Sequence, residues 1–241
     1  MENGTWLAVR GDTQVAVSNV HRFGTDAILL ADFAAPRRGE TVCELGTGCG
    51  AIALRLCADG APAAVHGVDI APEAIALAQE GAAAFASQGK APVPTFAVAD
   101  WHTPAAIAPT GSVHLVVCNP PYFPPHSGKT SADDASRLAR HEQPDTLHAV
   151  CAAAAWLLPS GGRFCLCHRP ERLPAVLASL TAAGLEPKRL RPVVQRPGVS
   201  PWLVLIEARR GGRPSLTWEP SLILENADGT PSAAYREIYG E

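Results

Sequence analysis

The sequence predicts an α/β fold, a mostly parallel sheet with helices on both faces. Three observations carry this. Short apolar runs rich in Val, Ile and Leu alternate with longer Ala-rich runs whose apolar residues recur at helical spacing. One short run, TVCELG at 41–46, opens directly into a glycine-rich turn. Three of the runs end in polar signals, at Gly46 onward, at Asp69 and at Asn119. Alternation of this kind marks βαβ units, whose strand ends gather along one edge where ligands bind.

The elements follow in order. TWLAVRGDTQVAV reads as a hairpin turning at Gly11-Asp12. GTDAILLADFAA reads as a helix, with Thr25 or Asp26 placed to cap it. The strand at 41–46 leads through glycines into a helix over AIALRLCAD. AAVHGVDI is a second strand ending at Asp69. Pro72 opens the next helix, which closes near Gly89. PTFAVAD is a third strand ending at Asp100, and SVHLVVCN a fourth ending at Asn119. LHAVCAAAAWLL is a helix, GGRFCLCHR a fifth strand and RLPAVLASLTAAG a helix. WLVLIEARR, at 202–210, is a late strand. Residues 124–128 and 209–214 read as loops, and no linker is long enough to split off a second domain. The expectation is one domain over 1–241, with a short hairpin and helix extension at about 1–38.

Composition narrows the class. Apolar residues make up 47% of the 241, enough for a sizeable core. No apolar run reaches membrane-span length, and MENGTWLAVRGD lacks the basic start and apolar middle of a signal peptide. Seven Cys with no CxxC are expected as buried reduced thiols in a cytoplasmic protein. No His/Cys set has ligand spacing, so no metal is expected. The net charge of −3 hides an asymmetry: residues 161–213 hold 10 basic and 3 acidic side chains, residues 1–160 hold 9 and 15. That basic segment is a candidate phosphate-facing surface, with Arg169, Arg172, Lys188, Arg189 and Arg191 in it, or else an ordinary solvated face.

The glycine loop CELGTGCGA places Gly46, Gly48 and Gly50 between a strand and a helix, where they permit a tight turn and close backbone approach to a ligand. Asp69 follows roughly 20 residues on, as a ribose-binding acid does in dinucleotide folds. The loop alone therefore leaves NAD and other adenosine cofactors open. Glu44 before the glycines and Asp100-Trp101 after the third strand add to it. Together these residues resemble the class I S-adenosylmethionine (SAM) methyltransferases. The resemblance implies a Rossmann-like fold with a mostly parallel seven-stranded sheet. It implies that Glu44 lies near the methionine end of SAM and that Asp69 grips the ribose. It also implies that Asp100 binds the adenine amine with Trp101 beside it, while Gly46, Thr47, Gly48 and Gly50 shape the cradle.

Asn119-Pro120-Pro121-Tyr122 is, by the same resemblance, the signature of methyltransferases acting on a conjugated nitrogen, an adenine amine or a glutamine amide. Such a nitrogen is a poor nucleophile because its lone pair is delocalised. The Asn119 side-chain oxygen and the Pro120 carbonyl can each accept one of its N–H bonds and aim the lone pair at the sulfonium methyl. Proline has a fixed φ and no competing N–H. Tyr122 offers a ring on which the target can stack.

HRFGTDAILLADF, ARHE at 139–142, EPKRLRPV, LVLIEARR and DGTPSAAYREIYG further resemble the bacterial tRNA adenine-N6 methyltransferases that modify valine tRNA next to its anticodon. This implies that Thr25 and Asp26 close the methionine side of the SAM pocket. It implies that Pro121, Tyr122, Phe123, Arg140 and His141 lie on the acceptor side, with tRNA as the partner and a monomeric enzyme. Two alternatives remain. Release-factor glutamine-N5 methyltransferases share the asparagine signature but resemble proteins with a longer helical N-terminal region. An NAD-linked oxidoreductase would use the glycine loop and leave Asn119 unexplained.

Overall fold

The computed structural model describes residues 5–121 and 146–240. The chain opens with β1 (Thr5–Arg10) and β2 (Thr13–Val17), an antiparallel hairpin that stands apart from the main sheet. Then come α1 (Thr25–Ala34), β3 (Thr41–Leu45), α2 (Ala51–Ala58), β4 (Ala64–Asp69), α3 (Pro72–Ser87), β5 (Thr95–Val98) and β6 (Leu115–Cys118). From Thr146, the next described residue, the order is α4 (Thr146–Leu157), β7 (Arg163–His168), α5 (Leu173–Ala182), β8 (Leu185–Val194) and β9 (Leu203–Arg210). Two short strands, β10 (Thr217–Trp218) and β11 (Leu222–Ile223), precede the last helix, α6 (Ala233–Tyr239).

The main sheet runs β10-β8-β9-β7-β6-β3-β4-β5, with β11 also on β8. Its seven longer strands match the expected number, six of them at places read from the sequence. β10 and β11 add two residues each, parallel to the outer edge of β8. Only β9 runs antiparallel to its neighbours. All other pairs are parallel, so the carboxyl ends of β3 to β8 share one edge.

β7 reads as a continuous apolar run because both its faces are covered. Cys165 and Cys167 pack with α1, α2 and the hairpin, while Phe164 and Leu166 pack with α4 and α5. Two residues apart on one strand, Cys165 and Cys167 share a face. All seven cysteines are free and buried, and burial pushes the Cys165 thiol up to about 12. A buried cation ties α1 to the sheet. Arg163 on β7 donates to the Ala34 carbonyl at 2.9 Å, to Glu40 at 2.6 Å and toward Glu207 at 3.5 Å. The last carbonyls of a helix have no internal donors, and here Arg163 supplies one.

Four expectations change. The N-cap of α1 is Gly24, and Asp26 sits inside the first turn accepting from the Ala27 N–H at 3.0 Å. β5 stops at Val98, two residues short of Asp100, and β6 at Cys118, one short of Asn119, so both side chains stand just beyond the sheet. The loop expected at 209–214 begins only after Arg210, because β9 continues through both arginines. β8 was not read as a strand at all. Charged residues and Pro187 and Pro192 interrupt its apolar pattern, and a register shift between Pro187 and Arg189 breaks the alternation. The predicted loop at 124–128 lies outside the described residues. No helix among the described residues is long and apolar enough to cross a membrane.

Candidate active site

Parallel register brings the polar strand ends together. Leu45 is level with Val68 on one side and with Cys118 on the other, so Gly46, Asp69 and Asn119 emerge side by side. Asp69 is level with Val98, which sets Asp100 just beyond it.

The glycine loop folds back on β4. The amides of Gly46 and Thr47 both donate to the Val68 carbonyl, at 2.8 and 2.9 Å. Gly48 adopts φ +53°, and no heavy atom lies within 4 Å of where a Cβ would stand. Its backbone therefore faces open space, as a cradle for an approaching ligand requires. Gly50 is different: a Cβ there would meet the Phe96 ring at 2.9 Å and Ala78 at 3.0 Å. It is glycine so that α2 can pack against β5 and α3. Asp69 braces the loop, its carboxylate accepting from the Gly48 N–H at 2.8 Å and the Ala71 N–H at 3.0 Å. A carboxylate has about four lone-pair sites, so Asp69 retains capacity for hydroxyl donors.

Glu44, expected beside the cofactor, has an internal task as well. It is buried, accepting from the Thr47 hydroxyl at 2.6 Å and the Ala53 N–H at 3.0 Å. It thus pins the loop to the first turn of α2. Burial pushes its carboxyl up to about 8, with the nearby Asp69 charge adding to the effect.

Asp100 accepts from the His102 N–H at 2.9 Å and pairs with the His102 ring at 2.7 Å, both through Oδ1. Partial burial works to raise its carboxyl, but the His102 amide and ring outweigh it and hold the group below its ordinary range. Its Oδ2 has no partner among the described residues and remains open to an amine donor. The Trp101 ring lies against Gly46, 3.1 Å from where a Cβ would stand. An open backbone at Gly48, braced acids at Asp69 and Asp100 and an indole beside the loop fit an adenosine-type cofactor with no pyrophosphate.

Asn119 is half-buried and gripped at both ends of its amide. Its Nδ2 donates to Asp26 Oδ2 at 3.1 Å, and the Cys167 thiol donates to its Oδ1 at 3.2 Å. Thr25, next to Asp26, hydrogen-bonds Tyr239 of α6, whose phenol burial raises. Pro120 is buried and Pro121 half-buried. Tyr122, Phe123, Arg140 and His141 lie outside the described residues. The structure thus brings Thr25, Asp26, Glu44, the glycine loop, Asp69, Asp100, Trp101 and Asn119 to one edge. Sequence reasoning missed Cys167, His102 and Tyr239. Only the first left a signal: the Cys165/Cys167 alternation, once β7 is paired with β6, sets Cys167 beside Asn119.

The basic segment divides. Lys188 bonds Ser215 at 3.0 Å and the Arg213 carbonyl. Arg189 lies 4.3 Å over the Phe33 ring and pairs with Glu219 at 3.3 Å. It is level with Glu207 in mid-sheet rather than at the carboxyl edge. Arg191 lies on β8 too, level with Leu205. Arg169 and Arg172, following β7, stand at that edge. Buried His168 beside them has its imidazole pushed down to about 4, first by burial and then by these two charges. Among the described residues no group of His, Cys, Asp or Glu could hold a metal ion.

The chain is similar to proteins already known. Residues 36–181 match the family described as "Methyltransferase domain". A tRNA1(Val) (adenine(37)-N6)-methyltransferase of Aeromonas hydrophila is 30% identical over 90% of this chain and 88% of its own length. A release factor glutamine methyltransferase of Deinococcus radiodurans is 31% identical over 71% of this chain and 58% of its own length. The crystal structure of a predicted O-methyltransferase from Agrobacterium tumefaciens superposes with a TM-score of 0.73 at 20% identity, covering 90% of this chain and 96% of that one, which shows the shared fold. With its glycine loop, strand-end acids and Asn119 aligned on one sheet edge, the chain belongs to the class I SAM-dependent N-methyltransferases, in the family that includes the tRNA1(Val) (adenine(37)-N6)-methyltransferases.

Proposed function

We propose that this enzyme methylates the N6 nitrogen of an adenine in RNA, in tRNA next to the anticodon, acting through residues 1–241 as one domain. The observation that carries the reading is Asn119, its amide oriented by Asp26 and Cys167 one strand away from the glycine loop. SAM, when bound, supplies an electrophilic methyl. The Gly46, Thr47, Gly48 and Gly50 backbone cradles it, Asp69 accepts its ribose hydroxyls, and Asp100 with Trp101 takes its adenine. Thr25, Asp26 and Glu44 close the methionine side, Glu44 by shaping the loop. Asn119 Oδ1 has a second lone pair besides the one facing the Cys167 thiol, a weak donor. That lone pair and the Pro120 carbonyl accept the two N–H bonds of the target amine, which turns its lone pair toward the methyl. SAM held there would supply the methyl to that nitrogen, the C–N bond forming as the C–S bond breaks, and the nitrogen would lose one proton to water. Pro121, Tyr122, Phe123, Arg140 and His141 would face the acceptor.

RNA is preferred to a glutamine side chain because the adenine-N6 relative matches this chain nearly end to end, whereas the glutamine relative is matched over little more than half its length. The deciding experiment is nucleoside analysis of tRNA from cells with and without the protein. Loss of N6-methyladenosine from one tRNA is expected. Unchanged tRNA together with an unmethylated release-factor glutamine would transfer the assignment to the second reading.

A further inference from the structure

A second cleft opens on the same edge of the sheet. It has a volume of about 480 Å³ and is lined by Thr25, Gln195, Trp202, Glu225 and Tyr235, among others. That volume lies within the roughly 300–1,000 Å³ of small-molecule sites.

Its position follows from the topology. The Trp202 N–H donates to the Val193 carbonyl at 3.0 Å, and Arg169 donates to the Trp202 carbonyl at 2.9 Å. The cleft therefore sits where β7, β8 and β9 meet the edge. The glycine loop, Asp69 and Asp100 sit at the ends of β3, β4 and β5. Asn119, at the end of β6, stands between the two groups. Thr25 lines the cleft and adjoins Asp26, which holds the Asn119 amide. A ligand in the cleft is thus across the acceptor asparagine from the cofactor cradle, on the substrate side.

Its walls suit a nucleobase. Trp202 and Tyr235 provide aromatic surface, and the Arg169 guanidinium lies 5.8 Å from the Trp202 ring centre. Gln195 and Glu225, bonded at 2.7 Å, make a polar rim, and Arg196 pairs with Glu225 at 2.6 Å. Flat π-surface, hydrogen-bonding groups for a base edge and cations for a phosphate together make up the chemistry of single-stranded RNA recognition.

We propose that this cleft is a subsite for a nucleotide flanking the target adenine, its base stacked on Trp202. The proposal rests on the RNA reading above. It deepens that reading, because a flanking-base subsite would let the enzyme choose among adenines by their neighbours.

The test uses the whole enzyme and a synthetic RNA hairpin carrying the target adenine, with an abasic nucleotide placed at its 5′ or its 3′ neighbour in turn. One of the two abasic RNAs should show a KM raised by roughly 10- to 100-fold, the scale of one lost base–aromatic stack. Trp202→Ala should reproduce that rise on the intact hairpin and add nothing on the abasic one. Trp202→Phe should restore most of the loss, with SAM affinity unchanged by calorimetry. If wild-type enzyme methylates both abasic hairpins as well as the intact one, the subsite is overturned and the RNA reading stands. If wild-type enzyme leaves the intact hairpin unmethylated while methylating release factor, both fall together. The abasic arms use unaltered protein, so they decide the matter even if Trp202→Ala fails to fold.

Discussion

Asp26 and Asn119, 93 residues apart in sequence, meet at 3.1 Å, with the asparagine Nδ2 donating to the aspartate Oδ2. This contact decides which end of the Asn119 amide is turned away from Asp26. With Nδ2 held there, Oδ1 is turned toward Cys167. Asn119→Ala should abolish methyl transfer with SAM affinity nearly intact. Asp26→Ala should lower kcat by roughly 100-fold, the scale of a displaced reacting group, and change KM for RNA much less. A normal kcat for Asp26→Ala would remove the positioning role.

Asp69 braces Gly48 and Ala71, and its carboxylate keeps lone-pair capacity beyond those two bonds. Asp69→Ala should weaken SAM binding by about 1.5–3 kcal/mol, the worth of hydrogen bonds to a charged group. Titration calorimetry reads this directly, and an unchanged Kd would place the cofactor elsewhere.

Glu44 makes stability pH-dependent in a defined direction. Its folded value of about 8 lies above its ordinary 4.5, so the folded state holds a proton that the unfolded state has lost. Its contribution is therefore fully present below about pH 4.5 and declines as pH rises toward 8. Glu44→Gln removes the titration and keeps an acceptor for Thr47. In urea unfolding at pH 5.5 and 8, the variant should gain on wild type at the higher pH. A pH-independent difference would contradict the assignment.

Arg163 joins the end of α1 to Glu40 and Glu207 in the interior. Arg163→Met takes the buried cation from half-buried Glu40 and leaves buried Glu207 with Arg189 and Arg209 at 3.6 Å, and breaking a buried pair costs up to about 3–5 kcal/mol. A fall of less than about 1 kcal/mol in urea unfolding, on the scale of an exposed pair, would show that solvent screens the cluster.

The basic residues should separate by place. Arg189→Glu should lower Tm through Phe33 and Glu219 with little change in KM for RNA. Arg169→Ala with Arg172→Ala should raise KM and flatten its salt dependence, by a little under one unit of log–log slope per phosphate contact. Equal effects from the two sets would mean that RNA crosses the middle of β8 as well.

Much of the site was legible in the chain because its signals are local. A glycine between strand and helix, an acid at a strand end and a proline-stiffened asparagine each announce themselves within a few residues. β8 was not legible, since its strand character comes from pairing with β9 and not from its own interrupted pattern. The position of Lys188 and Arg189 along β8 was not legible either, because net charge counts residues and does not say which part of a strand they occupy.

The sequence by itself determined the βαβ order, the glycine loop and the identity of the strand-end residues, because hydrophobic periodicity and backbone freedom are properties of short segments. Tertiary structure alone decided what those residues touch. It set Asp26 and Cys167 at opposite ends of the Asn119 amide and turned Glu44 inward beneath the loop. It also gathered Thr25, Trp202 and Tyr235 around one cleft. Such contacts depend on strand register and on packing between distant segments, and no local pattern carries that information.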